Sequence, residues 1–149
     1  MLRAVPLRPR LLVGVFTLSL ACTGAPPFRE VDIHATDYAF RTPPTLPAGL
    51  TAFRLINEGT VKHEVQLFRL RAGMTMELAA KLVARDSIPD ADGDPWGSVL
   101  IASPGHTTLE RVLVPLVRGE LYAMICEFRN ADSLPSHAKL GMVGLLRVE

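Results

Sequence analysis

The sequence predicts an all-β fold: an antiparallel Greek-key β-sandwich with one helical insertion. Three observations predict it. Short segments alternate apolar and polar residues with a period of two, Gly and Pro punctuate those segments, and a single stretch carries apolar residues at helical spacing instead.

Taken in order, Val31, Ile33 and Ala35 alternate with Asp32, His34 and Thr36, the pattern of a half-buried strand. In the stretch RTPPTLPAG, Pro43, Pro44 and Pro47 remove backbone donors and Gly49 adds a turn residue, so no regular pairing is expected there. Residues 50–56 form the next strand, ended by Asn57-Glu58-Gly59, and 61–70 another. Thr75 can cap a helix, Glu77 suits its positive first turn, and Leu78, Ala79, Leu82 and Val83 share a face, which predicts a helix over about 75–85. The acidic stretch DSIPDADGDPWG then reads as a solvated loop. Asp90, Asp92 and Asp94 are spaced carboxylates, but the Glu that completes a calcium loop is missing. Trp96 is expected to cover an edge of the core. Strands resume over 98–102, 107–116 and 120–128, the last two joined by a turn at Arg118-Gly119. A polar loop over 129–141 leads to a closing strand over 142–148.

The N-terminus carries Arg3, Arg8 and Arg10, then an apolar run over 11–20 and small residues around Ala21 and Cys22. That run is too short to span a bilayer and reads as an export signal. Leu18-Ser19-Leu20-Ala21-Cys22 resembles the site at which bacterial lipoproteins are cleaved before a cysteine that is then lipidated. Ordinary signal cleavage, after Ala25 for example, is the other reading. The lipoprotein reading divides the chain into a signal peptide over 1–21, a tether over 22–29 stiffened by Pro26 and Pro27, and one domain over 30–149. It places the molecule at the cell envelope, periplasmic or on the outer surface, anchored by lipid on Cys22.

Cleavage before Cys22 leaves 128 of the 149 residues, enough for one core, with 13 basic residues against 15 acidic. No basic cluster survives to favour a nucleic-acid partner. The two cysteines of an exported chain first suggest a disulfide. Lipidation of Cys22 removes that pairing and leaves Cys126 as a lone thiol, either buried and inert or bound to something.

Four side chains then stand out: His63, Cys126, His137 and Met142. Alternation puts His63 on the face of Val65 and Leu67, Cys126 on that of Tyr122, Met124 and Phe128, and Met142 on that of Leu146 and Val148. Each lies at the end of a strand, so the three can meet at one pole of a sandwich. Singly they read as a hydrogen-bonded structural histidine, a small buried thiol and a core methionine. Together, one thiolate, two imidazoles and a thioether make the donor set of a trigonal His₂Cys copper site with a weak axial Met. Other candidates fare worse. Met74-Thr75-Met76 occurs once and suits packing at a helix start, while His34 and His106 fall on a polar face and in a turn. No nucleophile sits in a catalytic motif and no glycine-rich loop could cradle phosphate, so no enzyme is expected.

Over roughly 31–148 the chain resembles the cupredoxins, the plastocyanin and azurin class of small blue-copper proteins. The residues that carry the resemblance are Leu46-Pro47-Ala48-Gly49, Phe53 to Gly59 leading into Lys62-His63-Glu64, and Pro104-Gly105. Gly119-Glu120-Leu121-Tyr122 leading into Cys126, and His137-Ala138-Lys139-Leu140-Gly141-Met142, complete it. It implies one copper ion cycling between Cu(I) and Cu(II), with His63 and His137 as imidazole ligands, Cys126 as thiolate and Met142 as axial thioether. It implies electron transfer or copper holding, in a monomer serving a redox protein of cytochrome or oxidase type. Two features depart from the pattern: ten residues separate Cys126 from His137, and Glu64 stands where many members carry the Asn that steadies the cysteine loop. The reading from another class is a metal-free cupredoxin-like lipoprotein acting as a binding or structural domain. The discriminating question is whether His137 folds back to Cys126 or sits on a solvent-exposed loop.

Overall fold

The computed structural model describes residues 27–84, 94–95 and 99–149. The export signal, the lipidation candidate Cys22, most of the tether, Asp90, Asp92 and Trp96 lie outside the described residues. Within them the chain runs β1 (Arg29–Thr36), β2 (Ala39–Arg41), β3 (Thr45–Leu46), β4 (Gly49–Asn57), β5 (His63–Arg69), α1 (Met76–Ala84), β6 (Asp94–Pro95), β7 (Leu100–Ala102), β8 (Val112–Leu116), β9 (Leu121–Ile125) and β10 (Val143–Val148). One sheet is ordered β2-β1-β4-β8 and the other β3-β10-β9-β5-β6, with β7 also paired to β5. This is the two-sheet sandwich that the alternation predicts.

The pairing is not antiparallel throughout. β1 pairs β4 in parallel, and β3 pairs β10 in parallel. After β2 the chain crosses to the other sheet for β3 and returns beside β1 in the same direction. That crossing supplies the long connection a parallel pair requires.

Two short strands fall where no pairing is expected. Thr45 and Leu46 sit between prolines yet align with Arg147 and Val148 at the edge of a sheet, where a missing N–H is tolerated. The Pro44 carbonyl still accepts from the Arg147 amide at 2.9 Å. Asp94 and Pro95, within the expected acidic loop, pair with Arg69 and Phe68. Conversely, the strand expected over 107–116 begins only at Val112. Before it, Thr107 makes only an isolated bridge to Ile56, and the Thr108 hydroxyl accepts the Leu55 amide at 3.1 Å and donates to the Glu110 carbonyl at 3.1 Å.

The main core lies between the sheets, built from Val31, Ile33, Phe53, Leu55, Val65, Leu67, Val114, Tyr122, Met124 and Leu146. β9 is buried on both faces, which explains its unbroken apolar run. Tyr122 and Met124 point into the sandwich, while Leu121, Ala123 and Ile125 join Leu70 and Ala79 in a second cluster on the helix side. Met74 and Met76 pack against that second cluster, the structural role their position suggests. Thr75 caps the helix, its Oγ1 accepting the Leu78 amide at 3.1 Å.

Register brings three chain segments to one pole. Ile125 aligns with both Gln66 and Val143, so the start of β5, the end of β9 and the start of β10 lie together. The β1–β2 turn meets the same pole, since Ala35 aligns with Asn57 and the Glu58 amide donates to the Ala35 carbonyl at 2.8 Å.

At the opposite side of the core the fully buried Tyr122 hydroxyl accepts the Val117 amide at 3.2 Å and donates to the Pro115 carbonyl at 3.3 Å. Tyr122→Phe keeps the ring and strips both bonds. It is expected to lower unfolding stability by about 1–2 kcal/mol, read from urea midpoints at unchanged slope.

Candidate metal centre

His63 opens β5, its backbone aligned with Ala102 of β7. Cys126 follows the last residue of β9, where its amide donates to the Met142 carbonyl at 3.3 Å. The ten residues between Cys126 and His137 form a closed loop rather than an excursion. The His137 amide donates to the Phe128 carbonyl at 2.8 Å, and the Ala138 amide to the Cys126 carbonyl at 2.7 Å. Inside the loop the Leu134 amide donates to Ala131, and Arg129 Nη1 to the Leu134 carbonyl at 2.9 Å. A 3₁₀ turn over Ala138–Leu140 ends at Gly141, whose φ of 101° suits glycine and turns the chain back. The Met142 amide thereby reaches the His137 carbonyl at 2.9 Å.

His63, Cys126, His137 and Met142 are all 0% exposed. One donor atom each from His63, Cys126 and His137 lies within 4.8 Å of the others. His63 Nδ1 and His137 Nδ1 are 3.1 Å apart, and His137 Nδ1 is 3.5 Å from Cys126 Sγ. Met142 adjoins this group through its backbone bonds to both Cys126 and His137. The side chains of His63, Cys126 and His137 therefore meet at one buried pole, with the backbone of the buried Met142 beside them. His34 and His106 do not join them: His34 bonds Glu58 at 2.7 Å, and His106 bonds the Pro104 carbonyl at 2.8 Å.

The outer nitrogens decide which inner ones are free. His137 Nε2 lies 3.1 Å from Asn130 Oδ1, an acceptor only, so Nε2 carries the proton and Nδ1 a lone pair. His63 Nε2 is buried without a hydrogen bond and faces Asp37 Oδ1 at 3.5 Å, which favours the same tautomer. With both protons outward, two lone pairs would face each other at 3.1 Å and repel. A proton or a cation between them reverses the sign.

Burial pushes both imidazoles below their ordinary range. The desolvation of His63 is opposed by Asp37, while that of His137 is reinforced by the neighbouring His63. Burial pushes the Cys126 thiol up, against the pull of backbone amides from Glu64 and Phe128, the first at 3.4 Å from Sγ. Such a thiol keeps its proton near neutral pH until a cation displaces it. The chemistry of the donor set therefore fits a soft or borderline metal ion, with two buried imidazoles and a buried sulfur served by amide donors.

Glu64 replaces the expected Asn without losing its bond. Its Oε1 accepts the Glu127 amide at 3.0 Å, so a carboxylate fastens the residue after Cys126 to β5. Other supporting residues escape sequence reasoning. Tyr38 stacks edge-on against His137 at 5.0 Å, Phe128 packs 6.0 Å from it, and Lys62 lies 5.6 Å above the Phe128 ring. Asp37 and Asn130 carry no local signal, because each meets its histidine only through folding.

The lowered imidazoles have a consequence for the metal-free protein. Unfolded histidine binds a proton near pH 6.5, whereas His63 and His137 in the fold resist it. Their contribution to stability is complete above that value and is lost as pH falls through the lowered folded values. Urea midpoints of metal-free protein are thus expected to drop from pH 7.5 towards pH 5 by this linkage. His63→Gln should flatten the drop, and a midpoint constant over that range in the wild type would contradict the assignment.

No family model and no curated protein matches the chain. Among solved structures it is similar to auracyanin B, at 20% identity and TM-score 0.51, with 85% of this chain and 92% of that one covered. It is also similar to reduced auracyanin from Roseiflexus castenholzii, at 20% identity and TM-score 0.49 over 85% of this chain and 99% of that one. Auracyanin A, described as a "blue" copper protein from Chloroflexus aurantiacus, matches at 19% identity and TM-score 0.49 over 82% and 99%. At such identities likeness speaks to architecture, and the architecture of this chain is the cupredoxin fold.

Proposed function

We propose that this protein binds one copper ion through His63 Nδ1, His137 Nδ1 and Cys126 Sγ, with Met142 as a weak axial donor, and passes single electrons. The observation that carries the reading is the convergence of two imidazole nitrogens and one thiol sulfur, all fully buried, within 4.8 Å. Bound there, copper would supply a one-electron Cu(I)/Cu(II) couple. The chain supplies the frame. His63 and Cys126 are fixed by strand pairing, and His137 and Met142 by a loop closed with backbone hydrogen bonds. A frame so tied changes little between oxidation states, which suits electron transfer. Handing the ion to a partner would need an accessible ligand, and none of the four is exposed.

The reading includes export and anchoring through Cys22 at the cell envelope, supported by the basic and apolar N-terminal pattern. Among the described residues no helix is long and apolar enough to cross a membrane. The partner in this reading is a redox protein of cytochrome or oxidase type, met by a monomer of this chain.

Purified protein given Cu(II) is expected to take up one equivalent, gain intense visible thiolate-to-copper absorption and unfold at higher temperature. Cys126→Ala is expected to lose the colour and the copper-dependent stabilisation while still folding. A colourless wild type that binds no copper returns the protein to the metal-free binding or structural reading.

A further inference from the structure

The two histidines have outer partners of different charge, one lying on a hairpin tip and the other hydrogen-bonded to it. The turn between β1 and β2 consists of Asp37 and Tyr38 alone. Tyr38 adopts φ 65°, the left-handed region that an aromatic residue seldom enters. This bend aims consecutive residues at different imidazoles. Asp37 Oδ1 faces His63 Nε2 at 3.5 Å. The Tyr38 ring packs on His137, and its hydroxyl accepts Asn130 Nδ2 at 3.2 Å, while Asn130 Oδ1 takes the proton of His137 Nε2.

Asp37 is not a loose surface carboxylate. Its Oδ1 accepts the Thr60 amide and its Oδ2 the Thr60 hydroxyl, both at 2.8 Å, which turns the first oxygen towards the imidazole. Gly59 leaves the room for that approach. A Cβ there would collide with Asp37 Oδ1 and stand 2.9 Å from His63 Nε2. The φ of Gly59 is not among the positive ones, so the position needs the absence of a side chain for space rather than for backbone freedom. His63 Nε2 is moreover a buried donor with no hydrogen-bond partner, and this carboxylate is what lies before it.

The geometry points to Asp37 as a positioning residue that holds His63 with Nδ1 inward and lends it negative charge, so that the centre favours Cu(II) over Cu(I). Asn130 positions His137 in the same way but as a neutral amide. This inference rests on the copper reading above. A carboxylate facing the N–H edge makes an imidazole a stronger donor and stabilises the more highly charged ion, whereas an amide only orients the ring.

The test exchanges the charges without changing shape. In Asp37→Asn the amide oxygen can still accept from Thr60 and His63, and its nitrogen can donate to the Thr60 hydroxyl. In Asn130→Asp one oxygen still accepts from His137, and the other accepts from the Tyr38 hydroxyl. On the copper-loaded full domain, Asp37→Asn is expected to raise the midpoint potential and Asn130→Asp to lower it. Each change corresponds to about a tenfold shift in the ratio of Cu(II) to Cu(I) affinity, which is about 59 mV for one electron. Imidazole nitrogen spectra of metal-free protein supply a second readout. His63 should be the Nε2–H tautomer in the wild type and in Asp37→Asn, and a tautomer mixture in Asp37→Ala. A wild type that takes up no copper sinks the copper reading and this inference with it. A copper-loaded wild type whose potential Asp37→Asn leaves unmoved, or moves down, overturns this inference alone.

Discussion

Two basic nitrogens and one sulfur confined within 4.8 Å at a buried pole form the constraint on which the rest of the structure depends. Without a shared electrophile the two inward lone pairs oppose each other, and burial makes protonation an expensive remedy. The fold must therefore hold the donors in place by forces outside the cluster. It does so with backbone bonds on the inward-facing chain and with polar partners on the outward ring edges. Asn130 Oδ1 bonds the outward nitrogen of His137, Asp37 faces that of His63, and the Glu64 amide points at Sγ.

The connection between Cys126 and His137 shows how a long loop can be as exact a spacer as a short one. Lengthening a loop costs little closure entropy, but a flexible loop would leave its histidine wandering. Here the cost of order is met locally. The loop ends are locked by two backbone bonds between residues 126–128 and 137–138, and its interior by Arg129 on the Leu134 carbonyl. Glu64 adds a side-chain tie from β5 to the residue after the cysteine. The same end of the sheets thus carries His63, Cys126 and His137 and the bonds that hold them.

Rigidity at the pole is backed by the layers behind it. β9 packs on the sandwich core through one face and on the helix-side cluster through the other, so Cys126 hangs from the most enclosed of the strands. Among the described residues the one non-glycine backbone in the left-handed region is at the hairpin tip, where Tyr38 and its neighbour bring an aromatic ring and a carboxylate to separate histidines.

The sequence by itself determined the sandwich and the helical insertion, and it singled out His63, Cys126 and His137, which the fold brings together. Alternation with a period of two states which side chains share a face, and only the correct face can be buried. His63 beside Val65 and Leu67, and Met142 beside Leu146 and Val148, are read directly in this way. Tertiary structure alone decided the edge pairing of Thr45-Leu46 between prolines, the two parallel strand pairs and the late start of β8. It alone decided the return of His137 and the partners Asp37, Asn130 and Tyr38. Periodicity reports burial along one strand, whereas these features depend on contacts between distant segments. The donors could be named because their chemistry is in their side chains; their tautomers and charges could not, because those are set by neighbours that only folding supplies.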